Sequence, residues 1–146
     1  VAFASFSEES LQALREAGHD VTALVVPDGE ESVAVALRSA LESGARLVVT
    51  TGGTGVAPRD RTPEGTRAVI DSELPGVAEL LRSAGTASSP HAALSRGVAG
   101  VVDAGPGRPG AFIVNLPGSP RAITSGAATV LALVDHVLAQ LAGADH

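Results

Sequence analysis

Two aspartates of the sequence, Asp28 and Asp60, follow predicted strands and are candidates for metal-assisted phosphate chemistry. Asp28 comes after a predicted strand at residues 21–26, and Asp60 comes after another at residues 47–51. Carboxylates in a phosphate site usually hold Mg²⁺, which neutralises charge on the reacting group. The alternative is that each aspartate caps a turn or a helix, as Asp after Pro commonly does. The residue types alone slightly favour this alternative.

A glycine-rich turn, Gly52-Gly53-Thr54-Gly55, directly follows the strand at residues 47–51. Glycines let the backbone approach a ligand, and consecutive N–H groups can form a nest for an anion. Thr51 and Thr54 add hydroxyl groups. The turn lacks the Gly-Lys-Ser/Thr of a P-loop and the spacing of a dinucleotide fingerprint. A tight turn from strand to helix would have the same composition.

Two later segments offer further anion-binding groups. Arg96, in the predicted loop 94–97, has a planar guanidinium that can bind two phosphate oxygens, although an ordinary surface arginine is an equal alternative. In the segment 115–120, two prolines flank a Gly-Ser pair ahead of a predicted helix. Its N–H groups could form a second anion site. The alternative is simple capping of that helix by Ser119.

The elements that position these groups follow from the hydrophobic pattern. An uninterrupted apolar run such as residues 47–49 is typical of a parallel strand covered on both faces. The alternation of strands and helices predicts a three-layer α/β/α sandwich with a mostly parallel central sheet and one antiparallel edge strand. Ligands of such sheets bind at the carboxyl ends of the strands. Strands are predicted at 1–4, 21–26, 47–51, 98–102 and 111–115, and helices at 7–17, 30–43, from 62, 77–83 and 121–141.

Composition indicates one folded domain covering residues 1–146, with 45% hydrophobic residues. The formal charge of −6 excludes the basic surface typical of nucleic-acid binding, although all 10 basic residues are arginines. No apolar run is expected to approach the roughly 18 residues of a membrane span, so no membrane association is expected. No signal peptide is visible and the cytoplasm is the expected location, although the start at Val1 suggests that the natural N-terminus is missing. The sequence has no cysteine, and its four histidines lack the spacing of metal ligands.

Together, these segments resemble the signature of the molybdopterin-binding family of the MoaB/Mog type. The sequence reads TTGGTG at 50–55, PRDRTPE at 58–64, SR at 95–96 and NLPGSP at 115–120. The order and spacing are similar to those of the family, and the resemblance covers most of the chain. It implies transfer of AMP from MgATP to the terminal phosphate of molybdopterin, with release of pyrophosphate. The adenylylated pterin would later accept molybdate.

The resemblance also implies site residues and partners. It assigns catalysis and Mg²⁺ binding to Asp28 and Asp60. Family members are commonly trimers and sometimes hexamers, and a molybdenum-insertion protein would act downstream. Binding of the nucleotide and the pterin would involve Thr51, Gly52, Gly53, Thr54, Gly55, Thr62, Glu64, Ser95, Arg96, Asn115, Leu116, Pro117, Gly118 and Ser119.

Two departures from the family pattern keep alternatives open. Family members usually carry Ser-Asp-Arg and a flexible loop after the first strand, whereas here Ala4-Ser5 leads directly to Phe6-Ser7. A protein without that loop could bind molybdopterin as a carrier and perform no chemistry, or be part of a larger enzyme. Gly65, where the family often has Ala, is expected to weaken its helix by about 1 kcal/mol or less.

Overall fold

The computed structural model describes residues 2–3 and 8–144, whose strands form a single six-stranded sheet. Along the chain, the strands are β1 (Ala2–Phe3), β2 (Ala23–Leu24), β3 (Leu47–Thr51), β4 (Ser72–Glu73), β5 (Ala99–Val102) and β6 (Ala111–Leu116). The helices are α1 (Glu8–Glu16), α2 (Glu30–Glu42), α3 (Thr62–Arg67), α4 (Pro75–Thr86) and α5 (Pro120–Leu141), with a short 3-10 helix at Pro90–Leu94.

The sheet is mostly parallel, and its strand order is β2-β1-β3-β6-β5-β4. Strands β1, β2, β3 and β6 run in the same direction, and β5 is antiparallel to both of its neighbours. The predicted α/β class is therefore confirmed. The sheet differs from the prediction in one detail. The two-residue strand β4 pairs with the outer side of β5, so that β4 is the edge strand.

Two apolar layers cover the two faces of the sheet. Consecutive strand residues point to opposite faces, so Ile113 packs with Val48 and α2, while Phe112 and Val114 pack with α5. The side chains of Leu74, Val77 and Leu81, in and just before α4, join the second layer. Phe112, Ile113 and Val114 are fully buried. Coverage of both faces explains why β6 shows no polar alternation before Asn115.

Helix α5 contradicts the expectation that no apolar stretch approaches the length of a membrane span. An 18-residue stretch of this 22-residue helix has a mean hydropathy of 1.6, so α5 is long and apolar enough to cross a membrane by length and composition. The core helix of a globular protein can pass the same test. Ile123, Val130 and Val134 of α5 are buried, and the last two lie in the layer that packs on the sheet.

Element boundaries differ from the predictions where local signals compete. Thr62 is the first residue of α3 and not its N-cap, a position that Arg61 occupies. Helix α4 begins at Pro75, earlier than predicted, because proline is well tolerated in the first turn. Ser119 caps α5, the role given as the alternative to anion binding, and its Oγ accepts a hydrogen bond from the Ala122 N–H at 3.2 Å. Residue 7, where the first helix was predicted to begin, lies outside the described residues.

Candidate functional site

The glycine-rich turn follows β3 and depends on its glycines at two points. Gly52 and Gly53 have φ angles of 84° and 65°, a left-handed region that favours glycine. A Cβ on Gly53 would also collide with Oγ1 of Thr62, and one on Gly55 would lie 2.8 Å from Oδ2 of Asp60. The turn is therefore folded tightly against the start of α3 and the residues that precede it.

Asp28 lies beside this turn. A cavity of about 210 Å³ is bounded by the segment that follows β2, the end of β3 and the start of α3. Asp28 is exposed at this cavity, so its carboxylate is accessible to a ligand. Of the predicted site residues, the cavity wall contains Asp28, Thr51, Gly52, Gly53 and Thr62.

The loop 115–120 contacts the glycine-rich turn. Because β3 and β6 are parallel and Thr51 is level with Leu116, both segments leave the sheet at the same edge. The Gly52 N–H donates to the Leu116 carbonyl oxygen at 3.0 Å. A Cβ on Gly118 would lie 3.4 Å from Cα of Gly52. The structure thus brings the two predicted glycine-bearing loops together.

A second and larger cleft lies on the other side of this loop. Its volume is about 450 Å³, and it separates the start of α5 from the end of α4 and the 3-10 helix. Pro117 and Ser119 were predicted site residues, whereas Arg121, His91 and Ser88 were not. Arg121 could have been inferred from its position two residues after Ser119. His91 and Ser88 carry no signal in the sequence, because only the fold brings the segment 84–92 to this loop.

Asn115 is buried at the carboxyl end of β6, and its side chain hydrogen-bonds to three other segments of the chain. Its Nδ2 donates to Oγ1 of Thr50 at 2.8 Å and to Oγ1 of Thr66 at 2.9 Å. Its Oδ1 accepts from the Val98 N–H at 3.1 Å. The side-chain amide therefore has partners for its carbonyl oxygen and for both N–H bonds within the protein. Asn115 also borders a small cavity of about 40 Å³ that Ser95 and Leu116 share.

Arg96 reaches this edge because β5 is antiparallel, so that its start lies where β3 and β6 end. Its guanidinium contacts the protein itself, donating to the carbonyl oxygens of Gly55 and Asp60 and to the carboxylate of Glu64. The hydrogen bond from Arg96 lowers the pKa of Glu64 below its ordinary value, and burial opposes this effect. Glu64 is therefore a carboxylate at neutral pH.

Asp60 lies in the turn that leads into α3. Its Oδ2 accepts a hydrogen bond from the Ala57 N–H at 3.1 Å, and its side chain is partly exposed. Asp60 is not among the residues that line the cavity at Asp28. Within the described part of the chain, no group of three or more His, Asp or Glu side chains could hold a metal ion.

The fold and these loops define the class of open-sheet α/β proteins whose ligand site lies at the carboxyl edge of parallel strands. Comparison with known proteins identifies the family. The chain belongs to the family described as "Probable molybdopterin binding domain", whose model matches residues 10–136.

Two curated relatives share 40% or more of their aligned residues with this chain. A molybdopterin adenylyltransferase of Haemophilus influenzae is 44% identical over 113 residues, which are 77% of this chain and 54% of the relative. A molybdenum cofactor biosynthesis bifunctional protein of Synechococcus elongatus is 40% identical over 125 residues, or 86% of this chain and 37% of the relative. The chain thus spans about half, or less, of the length of these relatives.

Solved structures agree with the family over most of the chain. The Mog protein of Mycobacterium ulcerans superimposes with a TM-score of 0.79 and 41% identity, covering 89% of this chain and 82% of that one. MoaB of Thermus thermophilus gives a TM-score of 0.76 and 38% identity, covering 98% and 94%. The resemblance inferred from the motifs is confirmed.

Proposed function

We propose that this protein acts in molybdenum cofactor biosynthesis as a molybdopterin adenylyltransferase, which transfers AMP from ATP to molybdopterin and releases pyrophosphate. The observation that carries the proposal is the contact between two glycine-bearing loops with a cleft on each side. Two phosphate-bearing substrates could meet at such a contact. Identity of 44% to an adenylyltransferase over 113 residues supports the same activity.

The reaction requires little covalent help from the protein. An oxygen of the terminal phosphate of molybdopterin attacks the α-phosphorus of ATP, and the bond from that phosphorus to the bridging oxygen breaks. Pyrophosphate leaves with the bonding electrons. Positioning and charge neutralisation dominate such transfers. The loop from Thr51 to Gly55 would hold the nucleotide phosphates beside Thr62, and Ser95 with Leu116, Pro117, Gly118 and Ser119 would line the pterin side.

Asp28 and Asp60 would each offer a carboxylate to a Mg²⁺ ion that is bound mainly through substrate phosphates. Mg²⁺ usually takes one or two carboxylates, waters and phosphate oxygens, and does not need a complete protein cage. Asp28 is exposed and Asp60 is partly exposed, so both can supply hard oxygen ligands. When bound, the ion would neutralise charge on the phosphates. The protein groups would then orient the two substrates and exclude water.

A substitution of Asp60 tests the proposal. The Asp60→Asn variant should lose at least about 100-fold of the AMP transfer, because the amide cannot replace a carboxylate that faces a cation and phosphates. Binding of molybdopterin should be retained. The assay follows adenylylated pterin by mass, with molybdopterin, ATP and Mg²⁺. Asp103→Asn is the matched control, because Asp103 follows β5 at the opposite edge of the sheet.

Each outcome decides between functions. Full turnover by Asp60→Asn would show that the catalytic assignment is wrong. Tight binding of the pterin by the wild-type chain without any product would favour the carrier function, in which the protein holds molybdopterin and performs no chemistry. Absence of binding would overturn both functions.

The proposal also covers the oligomeric state, the cellular location and the downstream partner of the enzyme. We propose that it works as a homotrimer, or as a hexamer, in the cytoplasm and supplies adenylylated pterin to a molybdenum-insertion protein. Support for an assembly comes from large apolar side chains that are exposed, among them Val25 at 90% and Val56 at 71%.

A further inference from the structure

Arg96 makes three hydrogen bonds to the segment that carries Asp60, two from its guanidinium and one from its backbone N–H. Its Nε donates to the Gly55 carbonyl oxygen at 2.8 Å, and its Nη2 donates to the Asp60 carbonyl oxygen at 2.6 Å. The backbone N–H of Arg96 donates to the Thr54 carbonyl oxygen at 2.7 Å. Arg96, three residues before β5, thus donates to three carbonyl groups between Thr54 and Asp60.

The carboxylate of Glu64 holds the Arg96 guanidinium in position through a charged hydrogen bond. Its Oε1 accepts from Nη1 of Arg96 at 2.6 Å, and its side chain is only 23% exposed. Within the described residues, its Oε2 is buried and has no hydrogen-bond partner. The site therefore keeps a carboxylate that is not fully satisfied. Burying a charged oxygen without a hydrogen-bond partner costs free energy, which indicates that this carboxylate has a role in the site.

Arginine is the side chain that can make this set of contacts. Its donors are arranged in a rigid planar fork, so Nε, Nη1 and Nη2 can reach separate acceptors. A lysine keeps the charge and can still reach the carboxylate, but its single ammonium cannot span both carbonyl oxygens and Glu64. These contacts also direct the guanidinium towards the protein and away from the role of a two-oxygen phosphate ligand.

We propose that Arg96 is a positioning residue for the transferase, which with Glu64 sets the conformation of the segment 54–61 and so the placement of Asp60. This inference rests on the proposed function. It predicts that loss of the fork misplaces Asp60 while the substrates still bind. A misplacement of about 1 Å can reduce turnover on the order of 100-fold.

The test compares Arg96→Lys with Arg61→Lys in the full chain. Arg61 is the matched control because it also pairs with Glu64, but at 3.6 Å and with a side chain that is 52% exposed. For Arg96→Lys we expect kcat to fall by about 10- to 100-fold with little change in KM for ATP or molybdopterin. Arg61→Lys should keep both constants within about twofold.

Hydrogen exchange supplies a readout that does not depend on activity. In Arg96→Lys, the amides of Ala57 and Asp60, which are hydrogen-bonded within the turn, should exchange about tenfold faster. Amides of β6 should be unchanged, which separates a local effect from general unfolding. Arg61→Lys should exchange like the wild type.

The outcomes separate this inference from the proposed function. A raised KM with unchanged kcat and unchanged exchange would overturn the inference, since Arg96 would then contact substrate. Unchanged kinetics would overturn it as well. If the wild-type chain has no transferase activity, the proposed function fails, and the exchange experiment alone decides whether Arg96 holds the segment. Faster exchange at Ala57 and Asp60 would support that role, and wild-type exchange would overturn it.

Discussion

The side-chain amide of Asn115 joins segments that are far apart in the chain. Its partners Thr50 and Thr66 lie 65 and 49 residues away. Both threonines and Asn115 are buried, so losing the amide would remove the acceptor of the Val98 N–H and a donor to each hydroxyl group away from water.

Asn115→Ala should therefore reduce the free energy of unfolding by about 2–4 kcal/mol. Urea unfolding followed by circular dichroism measures the difference. Thr124→Ala is a suitable control, because the exposed Thr124 hydroxyl bonds only within its own helix, and its effect should stay within about 0.5 kcal/mol. A variant of Asn115 with normal stability and weak pterin binding would instead show that the amide serves the ligand.

For single residues, the sequence predicts which ones lie near the site, but it does not predict their hydrogen-bond partners. Motif order placed Arg96 and Asn115 in the site, and the structure puts both at the expected edge of the sheet. Their partners could not be predicted, because these depend on contacts between segments 17 to 65 residues apart. The positions of Asp28 and the glycine-rich turn, by contrast, could be predicted, because each follows a strand of a parallel sheet.

Helices α2 and α3 pack closely through Gly65. A Cβ on Gly65 would lie 2.6 Å from the Glu30 carbonyl oxygen and 2.8 Å from Cβ of Val33. The expectation that this glycine merely weakens α3 is therefore incomplete, because alanine would not fit between the two helices. The close approach positions Thr62 at the cavity beside Asp28.

Gly65→Ala should destabilise the protein by about 1–3 kcal/mol, because overpacking exceeds the gain in helix propensity. Gly76→Ala is the matched control in α4, where a Cβ would meet nothing within 4 Å. That variant should gain up to about 1 kcal/mol. Thermal unfolding of both variants measures the two effects, and a stabilised Gly65→Ala protein would contradict the packing argument.

Most elements could be predicted, because hydrophobic period and caps are local signals. β3 was predicted with its observed bounds, and α2 and α5 were within one residue of theirs. β4 was missed, since two residues give no period to detect and its pairing with β5 arises only in the folded sheet. The predicted strand at 21–26 shortened to Ala23–Leu24, which have only β1 as a neighbour.

The exposed apolar residues near β2 indicate how the whole molecule would associate with other copies. β2 is at the edge of the sheet, and next to it Val25 is 90% exposed. Exposed edges with apolar side chains tend to associate with other chains. A second copy that covers this edge would remove Val25 from water.

Sedimentation velocity should therefore show an assembly larger than a monomer at micromolar concentration. Val25→Asp should shift the distribution towards monomer, because burying a charge in an interface is unfavourable. Thr22→Asp adds the same charge to an exposed neighbour without removing an apolar side chain, and it should leave the distribution nearly unchanged. A wild-type chain that sediments as a monomer would count against the proposed trimer.

The central pairing of β3 with β6 also sets an order of events during synthesis. The partners Thr50 and Asn115 are 65 residues apart, and a ribosome adds roughly 5–20 residues per second, so about 3–13 s separate their appearance. During that interval the apolar strand β3 has no β6 to cover its edge, although α2 is already available. During synthesis, therefore, this edge of β3 is an unpaired strand edge of the kind that promotes aggregation.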